Sequence, residues 1–305
     1  MNQKLKGILL SGLGGSLWGV SGIFAQLLFS DYQASSEWLV STRLTMAGLL
    51  ILTYSSILRK DPIFSIFKNK KHVLQLLLFS LVGMVGVQYL FFKAIEVSSA
   101  SLATILQFTA PIFVYLYTLI SREKKLYAIE FALVLATFFG VLLIVTNGQF
   151  SKMSVSLIGF TVGIGSAVAV AFYSIQPRKI LAVYGSPMIV GWGMLIGGLV
   201  FQFIQPFWQP NFSLSTHSII LLTLIIVFGT AVAFIAYLAS LSFIDPSLAS
   251  IMTALEPLLA AVLSAVVFNQ QFGIFELIGI AVVLVSVLLL SRYKPKNKAL
   301  ETLGK

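Results

Sequence analysis

Residues 98–120, SSASLATILQFTAPIFVYLYTLI, run for 23 positions without a charge and carry one proline, Pro111. A second stretch at 247–268, SLASIMTALEPLLAAVLSAVVF, repeats the first: Ser101, Leu102, Ala103, Ile105 and Pro111 stand on Ser247, Leu248, Ala249, Ile251 and Pro257 at an offset of 146. A bilayer's hydrocarbon is about 30 Å thick, so a helix rising about 1.5 Å per residue needs about 20 apolar residues to cross it. Both stretches meet that length. They predict two membrane helices that are copies of one another.

Reading outward from this pair gives ten such spans, at 7–29, 37–58, 73–94, 98–120, 126–146, 155–176, 187–206, 217–242, 247–268 and 273–292. The composition agrees: 58% hydrophobic and 10% charged, with mean hydropathy +0.98, where a soluble chain carries about 25% charged residues. Lys4 and Lys6 precede the first span as in a signal peptide, but no A-x-A-like cleavage site follows, so it is expected to be a retained helix. The duplication extends along the chain. At an offset of 150, Ile8, Gly15, Ser16, Val20 and Gln26 fall on Ile158, Gly165, Ser166, Val170 and Gln176, and at 146 Glu130 falls on Glu276. The basic loop at 59–72 absorbs the change. Five helices per copy is an odd number, so the second copy enters the membrane from the other side. The expected fold is all-α and integral to the membrane: ten transmembrane helices in two inverted five-helix repeats, 1–150 and 151–305, the second ending in a basic tail.

Net charge is +10, and 17 of the 20 Lys and Arg fall in segments that ten crossings place on one side. They include Arg59, Lys60, Lys68, Lys70 and Lys71, then Arg122, Lys124 and Lys125, and the tail from Arg292 to Lys305. Lys93 and Lys152 lie opposite, and Arg43 is inside a span. By the positive-inside rule both termini are cytoplasmic and the 207–216 joint is outside, in a multi-pass protein of the cell membrane. The charge thus reads as a topology signal helped by anionic lipid, and nucleic acid is not expected as a partner. With no cysteine, disulfides and thiolate chemistry are excluded. His72 and His217, at separate span entrances, make a poor metal site. No P-loop, GxSxG or HExxH occurs, so neither enzyme activity nor a cofactor is expected. The glycines of span 1, Gly12, Gly14, Gly15, Gly19 and Gly22, read as close helix packing.

The run Phe91, Phe92, Lys93, Ala94, Ile95, Glu96, Val97, Ser98, Ser99, Ala100, Ser101, Leu102, Ala103, with Leu106, Gln107 and Pro111, resembles the helix 3 to helix 4 signature of the EamA-like drug/metabolite transporters. Tyr237, Ser247, Leu248, Ala249, Leu255, Glu256 and Pro257 resemble the second copy of that signature, and Arg43 with Leu44 and Ala47 resembles the family's arginine in helix 2. Ala110 departs from the pattern, standing where a Glu before Pro111 would match Glu256. The resemblance implies ten helices in two inverted repeats, a central substrate cavity, and export of small metabolites or amino acids in many members.

The residues also nominate a site of their own. Glu256 lies about 13 Å into span 9 by helix rise, where an ionised carboxylate costs at least about 2.5 kcal/mol. Ala249, Thr253, Ala260 and Ser264 share its helical face, which therefore points to the protein interior, either as a cavity group able to exchange protons or as a structural carboxyl. Gln107 occupies a comparable depth in span 4. Pro111 and Pro257 kink their helices, either freeing carbonyls for a cavity or only for packing. Trp18 and Trp192, each flanked by glycines, either wall the cavity or pack on those glycines. Tyr89, Tyr173 and Tyr237 offer hydroxyls to it or anchor the bundle. Arg43 contacts a substrate carboxylate, forms a structural or gating pair with Asp31, Glu37 or Glu96, or snorkels to the surface. Lys93 and Glu96 are spaced to pair, and Glu130 and Glu276 are expected as interfacial carboxylates at helix N-termini. Two functions remain open at this point: a secondary transporter of small molecules, coupled to protons through Glu256, and a nontransporting sensor or scaffold using the same cavity.

Overall fold

The computed structural model describes residues 3–122, 127–149, 155–244, 248–249 and 252–292. Lys124, Lys125, Lys152, the tail beyond Arg292, and Ser247 and Ile251 of the repeat comparison lie outside the described residues. The described residues form helices and no strand. Among the described residues, six helices are long and apolar enough to cross a membrane: α1 (Gln3–Tyr32), α3 (Lys70–Val97), α4 (Ala100–Ile120), α5 (Ala128–Thr146), α6 (Leu157–Ile175) and α8 (Thr216–Ser240). Between and after them come α2 (Ser36–Ile57), which carries Glu37 and Arg43, the shorter α7 (Ser186–Phe201) and α9 (Leu255–Phe268), and α10 (Ile274–Arg292).

Local chemistry sets the helix starts. Ser35, Asn69, Ser99 and Ser156 each accept a hydrogen bond from a backbone N–H of the first turn that follows, satisfying donors a helix leaves orphaned. α4 is interrupted at Phe108–Thr109, where Thr109 N–H bonds back only three residues, to Leu106. The chain likewise turns at Thr253–Ala254 just before α9. Pro111 and Pro257 each lie in the first turn after the break, where the missing N–H costs least. The expected kinks are therefore breaks placed a few residues ahead of each proline.

The packing repeats between the halves. α1 lies against α8 and α9 as α6 lies against α3 and α4, while α2 pairs with α7, α4 with α9 and α5 with α10. The register is close: Gly7 and Gly12 pack on Ile244 and Met252, and Gly159 and Gly163 pack on Ser98 and Leu106, which are the same positions shifted by 146. Direction can be read from the contacts. Gly48 meets Leu195 while Gly191 meets Leu52 and Gly198 meets Thr45, so α2 and α7 run antiparallel. Gly148 meets Phe275 and Gly140 meets Val283, so α5 and α10 do too. In these two pairs the corresponding helices of the two copies thus point in opposite directions.

Two further irregularities coincide. α3 widens to a π-helix over Phe79–Met84, and α8 does so over Leu224–Val232, which contains the positions 146 residues on. A π-turn locally loosens the hydrogen-bond ladder and often marks a functional hinge. The polarity of the bundle is that of a protein in lipid. Phe138, Phe139, Leu277 and Val285 face outward, while Ser11, Thr42, Arg43, Ser80, Gln88 and Thr104 are buried.

Candidate functional site: a cavity shared by both halves

The glycine face of α1 brings the site together. A methyl group at Gly15 would lie 2.9 Å from Thr253 Cα, and one at Gly19 would lie 2.6 Å from the Glu256 carbonyl oxygen, so α9 sits backbone to backbone on α1. On the other side of α1, Gly14 admits Ala233 and Tyr237 of α8. Trp18 then stands between these helices, its ring 5.1 Å from Phe234 and 5.4 Å from Tyr237, with its indole N–H unpartnered.

These side chains face a cavity of about 560 Å³ walled by both halves. Trp18, Arg43, Gln107, Pro111, Tyr173, Tyr237 and Glu256 all line it. From there it extends past Thr118 and Leu238 to Glu130 and Leu290, toward the end of the bundle where α4 finishes and α5 begins. Several polar lining atoms have no protein partner at close hydrogen-bonding distance: Trp18 Nε1, Ser21 Oγ, Gln107 Nε2 and Glu130 Oε2, the last with the Tyr115 hydroxyl beside its carboxylate. A buried polar atom left unpaired costs about 1–3 kcal/mol, so these atoms are positioned to engage a ligand or water.

Arg43 is 4% exposed and is held from two sides. Its Nε donates to Thr230 Oγ1 at 2.5 Å and a terminal nitrogen donates to the Gly229 carbonyl at 3.1 Å, both in the π segment of α8. The guanidinium lies 4.5 Å from the Phe92 ring centre. None of the carboxylates named from sequence, Asp31, Glu37 or Glu96, is its partner. Instead it interacts through space with Glu256, without a direct ion pair among the described residues.

Tyr89, Trp192 and Pro257 do not reach the cavity. Tyr89 donates to Glu37 Oε1 at 2.8 Å and joins a cluster at the opposite end of the bundle. There Lys93 Nζ lies 3.2 Å from Glu37 and 2.6 Å from Glu96, the pairing that its helical spacing allows, and Ser36 donates to Glu96 through both N–H and hydroxyl. Ser35 bonds Asn211, tying in the 207–212 segment. Trp192 instead anchors the loop after α2: its indole N–H donates to the Ile63 carbonyl at 2.7 Å, and its ring meets Phe64 and Phe67 edge-on. In that loop Asp61 is pushed up by partial burial, but the Ser55 hydroxyl and Arg59 guanidinium outweigh this and hold its carboxyl below the usual range.

Glu130 stands in the first turn of α5, at the helix N-terminus where the sequence puts it, but its surroundings differ from the interface expected there. It is 1% exposed and lines the cavity, whereas Glu276 in the second copy is partly exposed. Its position at the start of a span suggested an interface, and nothing local in the sequence reveals that the cavity extends that far.

Two segments, 5–146 and 157–292, each match the profile of the EamA-like transporter family. The chain is 36% identical over 294 residues to the protein of Salmonella typhimurium named "Uncharacterized inner membrane transporter YicL", covering 95% of this chain and 97% of that one. It is 26% identical over 209 residues, 68% of each chain, to the threonine/homoserine exporter RhtA of Escherichia coli K12. A solved crystal structure at 14% identity superposes with a TM-score of 0.66 over 94% of this chain and 96% of its own, a likeness of fold.

Proposed function

Since the chain belongs to the EamA-like transporter family and is a multi-pass membrane protein, we propose that it is a secondary transporter that exports amino acids or related small metabolites by alternating access. The observation that carries this reading is the cavity of about 560 Å³ between two oppositely directed copies, extending toward one end while the Lys93–Glu37–Glu96 cluster ties the other. That volume lies in the ordinary range for small-molecule sites, about 300–1,000 Å³. In the proposed topology all ten helices cross the membrane, both termini are cytoplasmic and the cavity opens inward. An inverted repeat supplies the complementary outward-facing state, because the two copies can exchange conformations around one midplane site. The matched π segments of α3 and α8 are natural hinges for that exchange, and Arg43 bridges one of them to the cavity.

Within the cavity Glu256 is the proposed coupling group, a carboxylate deep in the bundle that can carry a proton in one state and release it in the other. Gln107, Trp18, Tyr173 and Tyr237 supply substrate contacts. The amino-acid class is supported by the threonine/homoserine exporter among the relatives. The test is flux in proteoliposomes with threonine, homoserine, other amino acids and amines under an imposed pH gradient. Wild type should move at least one of them in a gradient-dependent way, and Glu256→Gln should insert normally but lose that dependence. Absence of flux across the whole panel would count against transport of this class, and an unchanged pH dependence in Glu256→Gln would remove Glu256 from coupling.

A further inference from the structure

The charged lining residues of the cavity are Arg43, Glu256 and Glu130. Arg43 and Glu256 offset one another through space, and two of the arginine's five N–H donors are engaged by Thr230 and Gly229. Among the described residues no basic side chain lies within ion-pairing distance of Glu130. Its Oε2 is buried with no partner at close hydrogen-bonding distance, and the hydroxyl of Tyr115, 6% exposed, lies beside the carboxylate and is its polar neighbour. Around them Ile112, Val134 and Leu290 form an apolar collar, so that beyond the N-terminus of α5 and the Tyr115 hydroxyl the carboxylate faces the cavity, where a cation would complete its surroundings.

The repeat shows that this pair is not demanded by the fold. The positions of the second copy corresponding to Tyr115 and Glu130 are Ala261, which has no hydroxyl, and Glu276, which is partly exposed and does not line the cavity. A packing requirement of the helix pair would apply to both copies, since α5 and α10 pack on each other.

We propose that Glu130 and Tyr115 form an ammonium-binding subsite at the α4–α5–α10 end of the cavity, which selects substrates carrying a protonated amine. This rests on the cavity being the substrate site. The carboxylate supplies the counter-charge, and the Tyr115 oxygen accepts a second N–H of the ammonium, whose three donors suit two acceptors at one wall. The rest of the substrate lies toward Gln107 and Trp18, where apolar surface and unpartnered polar atoms are both present.

The experiment compares two probes of one shape, phenethylamine and phenethyl alcohol, binding to the full-length protein in lipid nanodiscs at pH 7. Wild type should prefer the amine by about tenfold or more. Glu130→Gln should bind the alcohol as wild type does while its amine preference collapses toward unity, and Tyr115→Phe should reduce the preference severalfold. A Glu130→Gln protein that binds the alcohol normally and keeps the full amine preference would overturn the subsite. So would a wild type that binds neither probe or does not discriminate between them. Flux in proteoliposomes separates the two claims. Normal transport with an unchanged preference in Glu130→Gln rejects the subsite alone, and absent transport with a preference that depends on Glu130 rejects the transport reading alone.

Discussion

Two alanine substitutions on one face of α1 should behave in opposite ways. A methyl group at Gly19 would lie 2.6 Å from the Glu256 carbonyl oxygen and 3.2 Å from its Cα, and both atoms are backbone that cannot swing aside. Restoring ordinary contact near 3.4 Å requires α1 and the start of α9 to part by about 0.8 Å. Overpacking of this kind costs about 1–3 kcal/mol, and here it also moves the carboxylate that the proposed mechanism depends on. A methyl group at Gly12 meets only the ends of flexible side chains, Leu255 Cδ1 at 3.4 Å and Met252 Cε at 3.6 Å. Gly12→Ala should therefore be neutral or slightly stabilising, since alanine is the better helix former by about 1 kcal/mol. Thermal unfolding in detergent and flux in proteoliposomes read the two consequences. Gly19→Ala should unfold at lower temperature and lose about tenfold in flux, because displacements approaching 1 Å at a reacting group have effects of that order or larger. If the two variants behave alike, or if Gly19→Ala matches wild type in both assays, the close α1–α9 contact does not position Glu256.

Arg43→Lys keeps the charge but cannot make both the Thr230 and Gly229 contacts from a planar fork; it should lower stability by about 1.5–3 kcal/mol and reduce flux, read by the same two assays. Lys93→Ala removes two partly exposed ion pairs and should change stability by less than about 1 kcal/mol per pair, while raising thiol labelling of a cysteine placed in the cavity from the outer side. Trp192→Phe loses the bond to Ile63 and should cost about 0.5–1.5 kcal/mol in unfolding, with unchanged substrate affinity, since Trp192 stands outside the cavity.

The helices were legible because a bilayer imposes a length: the run around Ser101 forms a helix long enough to cross, and the run at 247–268 contributes the shorter apolar helix α9 among the described residues. Charge placement gives the proposed topology on the ground that lysines and arginines resist crossing, and side-specific labelling tests that orientation. Depth within a helix was also readable, so Trp18, Arg43, Gln107, Tyr173, Tyr237 and Glu256 were named from sequence, and all six line one cavity. What a single helix cannot reveal is which neighbour its face meets. Trp192 between two glycines looked the same as a cavity residue, yet it packs on the loop carrying Ile63. The π segments have no hydropathy signature, because inserting one residue in a turn leaves an apolar run apolar. Glu130 was misread because a helix end need not be a membrane surface when an internal cavity reaches it.

The central claim is that one cavity is reached from each side in turn. The chain contains no cysteine, so a single cysteine at Val87, on the cavity wall of α3, is the only thiol available to a membrane-impermeant reagent. With the protein in oriented membrane vesicles, the account predicts labelling from the cytoplasmic side at rest. It further predicts that an outward substrate gradient produces labelling from the outer side at the expense of the inner. Simultaneous labelling from both sides would indicate a channel, and labelling from neither side, with or without substrate, would indicate a closed scaffold; either result would contradict alternating access.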